Sequence, residues 1–586
     1  MSNEFDKRAK NKHRRDFLKG VGITAAAGAA STLAAGPVAA MAPKATEAID
    51  STPDYDLQAT DYTPPTPSTA VIVLNKMGFG PTPGEIAAFN QRGSTNLERI
   101  TSYVEEQLDH ESIDDTEFET RMAEANFETL TKSRTELWLE HRRQDYNTRQ
   151  QPVRELERAT FLRAVYSKKQ FKEFISDFWV NHFNIYGLSD GMESMIVEMV
   201  EGVIRPNMFG NFRAFLEGTA RSTAMLIYLD NYKSTDAGAN ENYARELFEL
   251  HTLGAENYFG TVSQSSVPRD ENEVPLGYVD DDVYEASRAF TGWSVSYSIW
   301  LGDADDGSFV YRNDDHDRYQ KRVLWYEIEP DQEAEKDGED VLDLVAYHPG
   351  TARYICRKLV TRLIGDDAPD SVVLGAAEVF YDNRFAADQL TQVYRYILMS
   401  ADFRSTWGDK VKRPFEIAVS FFRATNLNMT FRMDHGTTGN FLGYYNDTGQ
   451  RLFAWGPPDG YPDFKEAWMS SAPRVYAWRM INYMISRDTD NEDAAITTSD
   501  IANDYYIDIL GPTPSDKRTA EELADYWIER ILGRTMDSAD RQEVVDFMGN
   551  GFNPDYELPL DDDQSTQERL RMMVALICCA PDFYWK

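Results

Sequence analysis

From Ala70 onward the chain repeats apolar side chains at the helical period, in about thirteen separate stretches. Clear cases lie at 95–107, 118–145, 152–183, 240–252, 350–364, 371–400, 412–425 and 565–579. Spacing of i, i+3, i+4 and i+7 gathers the apolar groups on one side, which must then be buried against other helices. The expected fold is therefore all-α, a large multi-helix body. Strand character is confined to GWSVSYSIW, SFVYR and KRVLWYEIE between 292 and 328, which reads as a small β-hairpin insertion. Residues 187–191, GLSDG, match the GxSxG nucleophile pattern, but that motif works only at a strand-to-helix turn on a parallel sheet. Helix-periodic residues precede it here, so it is set aside. The acidic runs DADDG and DTDNED lack the spacing of a calcium loop.

The first 42 residues stand apart. Lys7, Arg8, Lys10, Lys12, Arg14 and Arg15 lead into an Ala/Gly-rich run, and Arg14-Arg15 followed by Phe17, Leu18 and Lys19 is the twin-arginine export pattern. Small residues near Ala40 and Ala42 offer cleavage points, an uncleaved anchor being the alternative. The expectation is export through the twin-arginine translocase to the periplasm or beyond. Residues 43–68, rich in Pro, Thr and Asp, read as an extended tether. Residues 69–586 read as one helical domain, with a C-terminal sub-bundle from about 500 left open.

The formal net charge is −37 over 586 residues, although 1–42 are basic, so the acidic excess belongs wholly to the remainder. Such a surface repels nucleic acid and anionic lipid. Three cysteines, Cys356, Cys578 and Cys579, are too few for a disulfide framework and are expected as buried free thiols.

The stretch 240–254, beginning NENYARELFELH, carries most of the candidate chemistry. Asn240 suits a helix N-cap and Gly254 a left-handed C-cap. Glu241, Arg245 and Glu249 stack at four-residue spacing, and Glu246 and Glu249, three apart, can converge on one point. At 100° per residue His251 lies about 200° from Glu249, on another face. Two accounts fit: an inward acid/base or metal site, or a salt-bridged wall. In DFWVNHFNIY, the residues Ile175, Phe178, Trp179, His182 and Tyr186 share a face, so His182 points inward. Either it is a hydrogen-bonded core histidine, or it joins Glu246 and Glu249 around a divalent metal, as helix bundles build such sites. In the second case Glu246 and His182 lie about 3–5 Å apart, directly or across the ion.

Two further segments bear on the site. Pro349 opens a helix in which Arg353, Arg357 and Lys358 follow; Arg357 or Lys358 either neutralises the Glu-rich helix, the preferred account, or binds an anionic substrate. In GQRLFAWGPPDGYPDFKEAW, the turn at Pro457-Pro458-Asp459-Gly460 is ringed by Trp455, Tyr461, Phe464 and Trp468, with Asp459 and Asp463. That suits the wall of a small-ligand or carbohydrate cleft, or a lid packed on the core. The candidate catalytic residues are Glu246, Glu249 and His182, the same three being candidate metal ligands. The candidate substrate-binding residues are Arg245, His251, Asp459, Asp463 and Trp468.

The segments DFWVNHF, AMLIYLDN, NENYARELFELHTLG, YEASRAFTGW, HPGTARYICRKLVTRLI, KRPFEIAVSFFRAT and GQRLFAWGPPDGYPD occur in order from about Val71 to the end. In these the chain resembles the domain of unknown function 1800 family (DUF1800). The resemblance implies an exported, largely helical protein, and places Asn240, Glu241, Arg245, Glu246, Glu249 and His251 in the family's signature. It also implies a partner, an exported protein resembling alkaline-phosphatase-type hydrolases (domain of unknown function 1501, DUF1501). It supplies no reaction. Longer acidic insertions near 256–280 and 302–340 are this chain's departure. Two functions therefore stand: an exported enzyme, metal-dependent in one form, acting on a small-molecule or saccharide substrate; or a non-catalytic binding or assembly protein working with an exported partner.

Overall fold

A computed structural model describes residues 66–189, 191–299, 302–486, 505–561 and 563–586. The signal sequence, nearly all of the tether and the acidic run DTDNED lie outside the described residues. The described chain is mostly helical, and its strands form three two-stranded antiparallel pairs. Seven helices position the site. They are α1 (Tyr146–Tyr166), α2 (Gln170–His182), α3 (Glu241–Glu246), α4 (Pro349–Leu363), α5 (Pro414–Ala424), α6 (Ser471–Ser486) and α7 (Gln564–Cys579).

Every residue of α5 is buried. A helix apolar nearly all round belongs at the centre of a body, and α1, α6 and their neighbours pack about it. Capping explains where the helices begin. Asp145 accepts from the backbone N–H groups of Asn147 and Thr148 (3.0 and 3.4 Å) at the start of α1. At α4, Pro349 is the first helical residue and the His348 side chain accepts from Gly350 N (2.9 Å). The apolar stretch 152–183 is two helices rather than one, broken at Ser167, whose hydroxyl is turned to Asp115 (2.6 Å).

The strand-rich insertion holds two hairpins instead of one. Strand β1 (Trp293–Val295) pairs with β2 (Phe309–Tyr311), and β3 (Lys321–Val323) with β4 (Tyr326–Ile328). A third pair, β5 (Asn428–Met429) with β6 (Tyr505–Tyr506), was not expected, because two residues on each side leave no period to read. Of the GLSDG stretch, Asp190 lies outside the described residues; the described residues form no parallel sheet, and Ser189 donates to the Tyr186 carbonyl (3.3 Å).

The helices after 505 belong to the same compact unit as the other described residues, and α7 packs on α6. Cys356 and Cys578 are buried free thiols and Cys579 is partly exposed. No helix among the described residues is long and apolar enough to cross a membrane.

Candidate functional site

Helix α2 buries Phe171, Phe174, Ile175, Phe178, Trp179 and His182 on its inner side. It ends at His182, so Tyr186 lies in the following loop and does not extend the face, contrary to the expected register. Loop 449–468 is fastened to this end of α2. Asn181 exchanges two hydrogen bonds with the Tyr461 backbone (2.9 and 2.7 Å), and Asn184 donates to the carbonyls of Trp455 and Pro457 (3.1 and 2.7 Å). Gly460 permits the approach: its φ is +75°, and a Cβ there would lie 2.2 Å from the Asn181 carbonyl oxygen. Tyr228 closes the outer side by donating to Gly456 O (2.6 Å).

Helix α3 starts as its sequence requires, with the Asn240 side chain accepting from Asn242 N (2.9 Å). After Glu246 it widens into a π turn, Leu247–His251, a geometry that recurs at functional sites. The 100° spacing used to separate Glu249 from His251 therefore does not hold. Gly254 has φ +89° and ψ 147°, open only to glycine, rather than a left-handed cap. A Cβ there would sit 2.4 Å from the Tyr354 ring.

Between these elements the candidate residues fall into two groups. His182 is buried, and burial, then the charge of Lys358, hold its imidazole well below the ordinary histidine value. It is neutral, and its tautomer follows from its partners: Nε2–H donates to the His251 carbonyl (3.2 Å), and Nδ1 accepts from Lys358 Nζ (2.9 Å). Burial lowers the Lys358 ammonium to about 8, against the pull of Asp463 and Asp459. Glu246 and Glu249 are half-buried and form no hydrogen bond or ion pair among the described residues. Burial, then the charge of Glu249, raise the Glu246 carboxyl to about 7, with Asp459 adding to the effect and Arg245 opposing it. Asp459 is exposed, accepts from Trp455 Nε1 (2.7 Å), and its charge acts on Glu246, Tyr228, Tyr354 and Lys358 alike. One electrostatic neighbourhood thus joins α3, α4 and loop 449–468.

The expected pairing of Glu246 with His182 does not form, because both ring nitrogens of His182 have other partners. For the same reason His182 has no lone pair left for a metal, and no group of three or more His, Cys, Asp or Glu side chains among the described residues is arranged to hold one. The donor set does not fit a divalent ion. Lys358 serves His182 rather than the glutamates, and Arg357 reaches Glu256 and Asp370 (4.0 and 3.5 Å). Arg245 bonds Glu241 as expected (3.0 Å), but its second partner is Asp280 (3.3 Å) instead of Glu249. His251 is buried against Phe183 (5.2 Å between rings), with Nε2 unpartnered. Trp468 is buried, donating to Pro462 O (2.8 Å), so it shapes the loop from within.

Asp463 belongs to a buried ionic cluster beneath the loop. Lys410 and Arg362 approach it at 3.1 and 3.6 Å. Arg362 also reaches Asp177 (2.8 Å) and Glu416 (3.2 Å), Arg413 bonds Asp177 and Glu416, and Lys586 bonds Glu416. Burial pushes the Glu416 and Asp463 carboxyls up, but the surrounding cations outweigh it and hold both well below the carboxylate range. Sequence reasoning missed this cluster and the Lys358–His182 contact, since the partners are separated by 176 residues in one case and 170 in another. The signal that could have found them is charge at inward helical positions: Asp177 in DFWVNHF, Arg362 in α4, and Glu416 in α5.

A family model described as "Protein of unknown function (DUF1800)" matches residues 72–585. No curated protein and no solved structure matches the chain.

Proposed function

The chain belongs to the DUF1800 family, and from its site we propose an exported enzyme that acts by general acid–base chemistry on a small polyhydroxylated or saccharide substrate. The observation that carries this reading is Glu246: a half-buried carboxyl with no bonding partner among the described residues, beside Glu249 and Asp459 at the opening of a π turn. A carboxyl so placed holds a proton near neutrality and can give or take it, which is what acid–base catalysis needs. Tyr228, Tyr354 and Trp455 supply rings and hydroxyls that suit a neutral polyol, whereas three carboxylates disfavour an anion. The twin-arginine pattern supports export, and a cell-surface or periplasmic partner of the alkaline-phosphatase-like class is compatible with it.

The test is turnover of a panel of oligosaccharides and small hydroxylated compounds by the exported protein and by Glu246→Gln. Turnover lost in a variant that keeps its circular dichroism supports the reading. Full turnover in the variant overturns it, and no turnover by the wild type together with tight capture of a co-exported protein favours a binding role.

A further inference from the structure

Four lysines sit in surroundings that lower their ammonium groups: Lys76, Lys358, Lys412 and Lys586. Three of them are buried and serve the fold. Lys76 donates to the carbonyls of Ile364 and Thr406 (2.8 and 2.7 Å), Lys412 lies over the Phe583 ring (4.4 Å), and Lys586 bonds Glu416. Lys358 differs in two respects. It is partly exposed, and its hydrogen-bond partner is a neutral imidazole nitrogen instead of a carbonyl or carboxylate.

The arrangement has the three parts of an activated nucleophile. An amine lies in hydrogen-bond contact with a base, and the base is oriented by a third group on its far side. Here the amine is Lys358 Nζ, the base is His182 Nδ1 at 2.9 Å, and the orienting group is the His251 carbonyl, 3.2 Å from Nε2. The carbonyl fixes the tautomer, so the lone pair of His182 faces Lys358. This carbonyl is free to accept because His251 is the last residue of the turn.

We propose that Lys358 is a covalent nucleophile that forms an imine with a small, uncharged aldehyde or ketone bearing hydroxyl groups, such as an open-chain sugar. This rests on the acid–base reading of the same site and names its substrate class. In the step, the amine lone pair forms the N–C bond while the carbonyl π pair moves onto oxygen. The amine proton passes to His182 Nδ1 and the oxygen takes a proton from solvent. The C–O bond then breaks and oxygen leaves as water, carrying the proton that His182 held; the nitrogen becomes a protonated imine. A carbonyl carbon is the electrophile that lysine amines take up most readily. The charges facing Lys358 are Asp459 and Asp463, with His182, His251 and Tyr354 beside it, and both acids disfavour a carboxylate or phosphate on the substrate.

At neutral pH an amine titrating at about 8 is unprotonated on the order of a hundredfold more often than an ordinary lysine. The experiment uses the intact protein near pH 7 with glycolaldehyde and cyanoborohydride, followed by peptide mass spectrometry. The expected result is a two-carbon reduced adduct at Lys358, formed at least tenfold faster than at any other lysine, with Lys76, Lys412 and Lys586 unmodified. His182→Gln should slow it at least tenfold. Adducts spread over the surface lysines, with Lys358 silent, would overturn the proposal. Selective labelling that persists in Glu246→Gln keeps it standing even if the acid–base role of Glu246 fails. Absent labelling removes the nucleophile and leaves that acid–base role to its own test.

Discussion

Glu246 loses water on one side and meets no donor on the other, so the folded chain holds its proton more tightly than the unfolded one. The ordinary value is 4.5 and the folded value about 7. A raised value means that this group's contribution to stability is complete below about pH 4.5 and is lost as pH rises through 7. Gln cannot ionise. Glu246→Gln should therefore match the wild type near pH 4 and exceed it near pH 8, by about 1–2 kcal/mol after solvent screening, read from urea midpoints. Equal midpoints at both pH values would mean that the carboxyl titrates as if in water. The residue types of this site were legible in sequence, because several acids on an apolar-striped helix are conspicuous. Their partners were not. His182 was correctly aimed inward, yet its contacts come from residues 69 and 176 positions away, and helical spacing carries no information over such distances.

At the scale of elements, local chemistry was readable and its exceptions were not. The Asn240 cap and the Pro349 start depend on one or two neighbouring residues, and both appear as expected. The π turn at Leu247–His251 has no mark of its own in sequence, since the same residues suit a regular helix. Its trace lies three residues downstream, where Gly254 takes a backbone conformation closed to other residues. Loop 449–468 was expected as a cleft wall or a packed lid; its inner edge is bonded to the end of α2, and Asp459 on its outer edge is exposed. The link is tight enough to test. Gly460→Ala drives a methyl into the Asn181 carbonyl at a positive φ, which should cost about 2–4 kcal/mol and release the loop. Thermal unfolding measures the first effect. Faster amide exchange across 453–463 measures the second, and unchanged exchange would show that the loop is held by other contacts.

Across the whole molecule, a helical body followed from periodicity alone, whereas the central place of α5 and the charges around it did not. Asp177, Arg362 and Glu416 sit on helices among apolar residues, Arg413, Asp463 and Lys586 reach them from outside the helices, and each is stable there only with the others present. Glu416→Gln leaves Arg362, Arg413 and Lys586 short of one negative charge in a buried setting. The expected loss is about 3–5 kcal/mol, measured as a lower urea midpoint with an unchanged slope; a loss below about 1 kcal/mol would mean that water already reaches the cluster. The same cluster has a kinetic meaning. Asp177 meets Arg413 across 236 residues and Glu416 meets Lys586 across 170, and contacts of such long range form slowly. A charge buried ahead of its partners is penalised by several kcal/mol, so in any half-assembled chain these groups stay in water and hold the centre open. The expected outcome is a core that closes in one late step, when helices from both halves of the sequence arrive together, and an unfolding that must pass back through it. Urea-jump kinetics should then show slow unfolding in the wild type and faster unfolding in Glu416→Gln; equal unfolding rates would count against such a step.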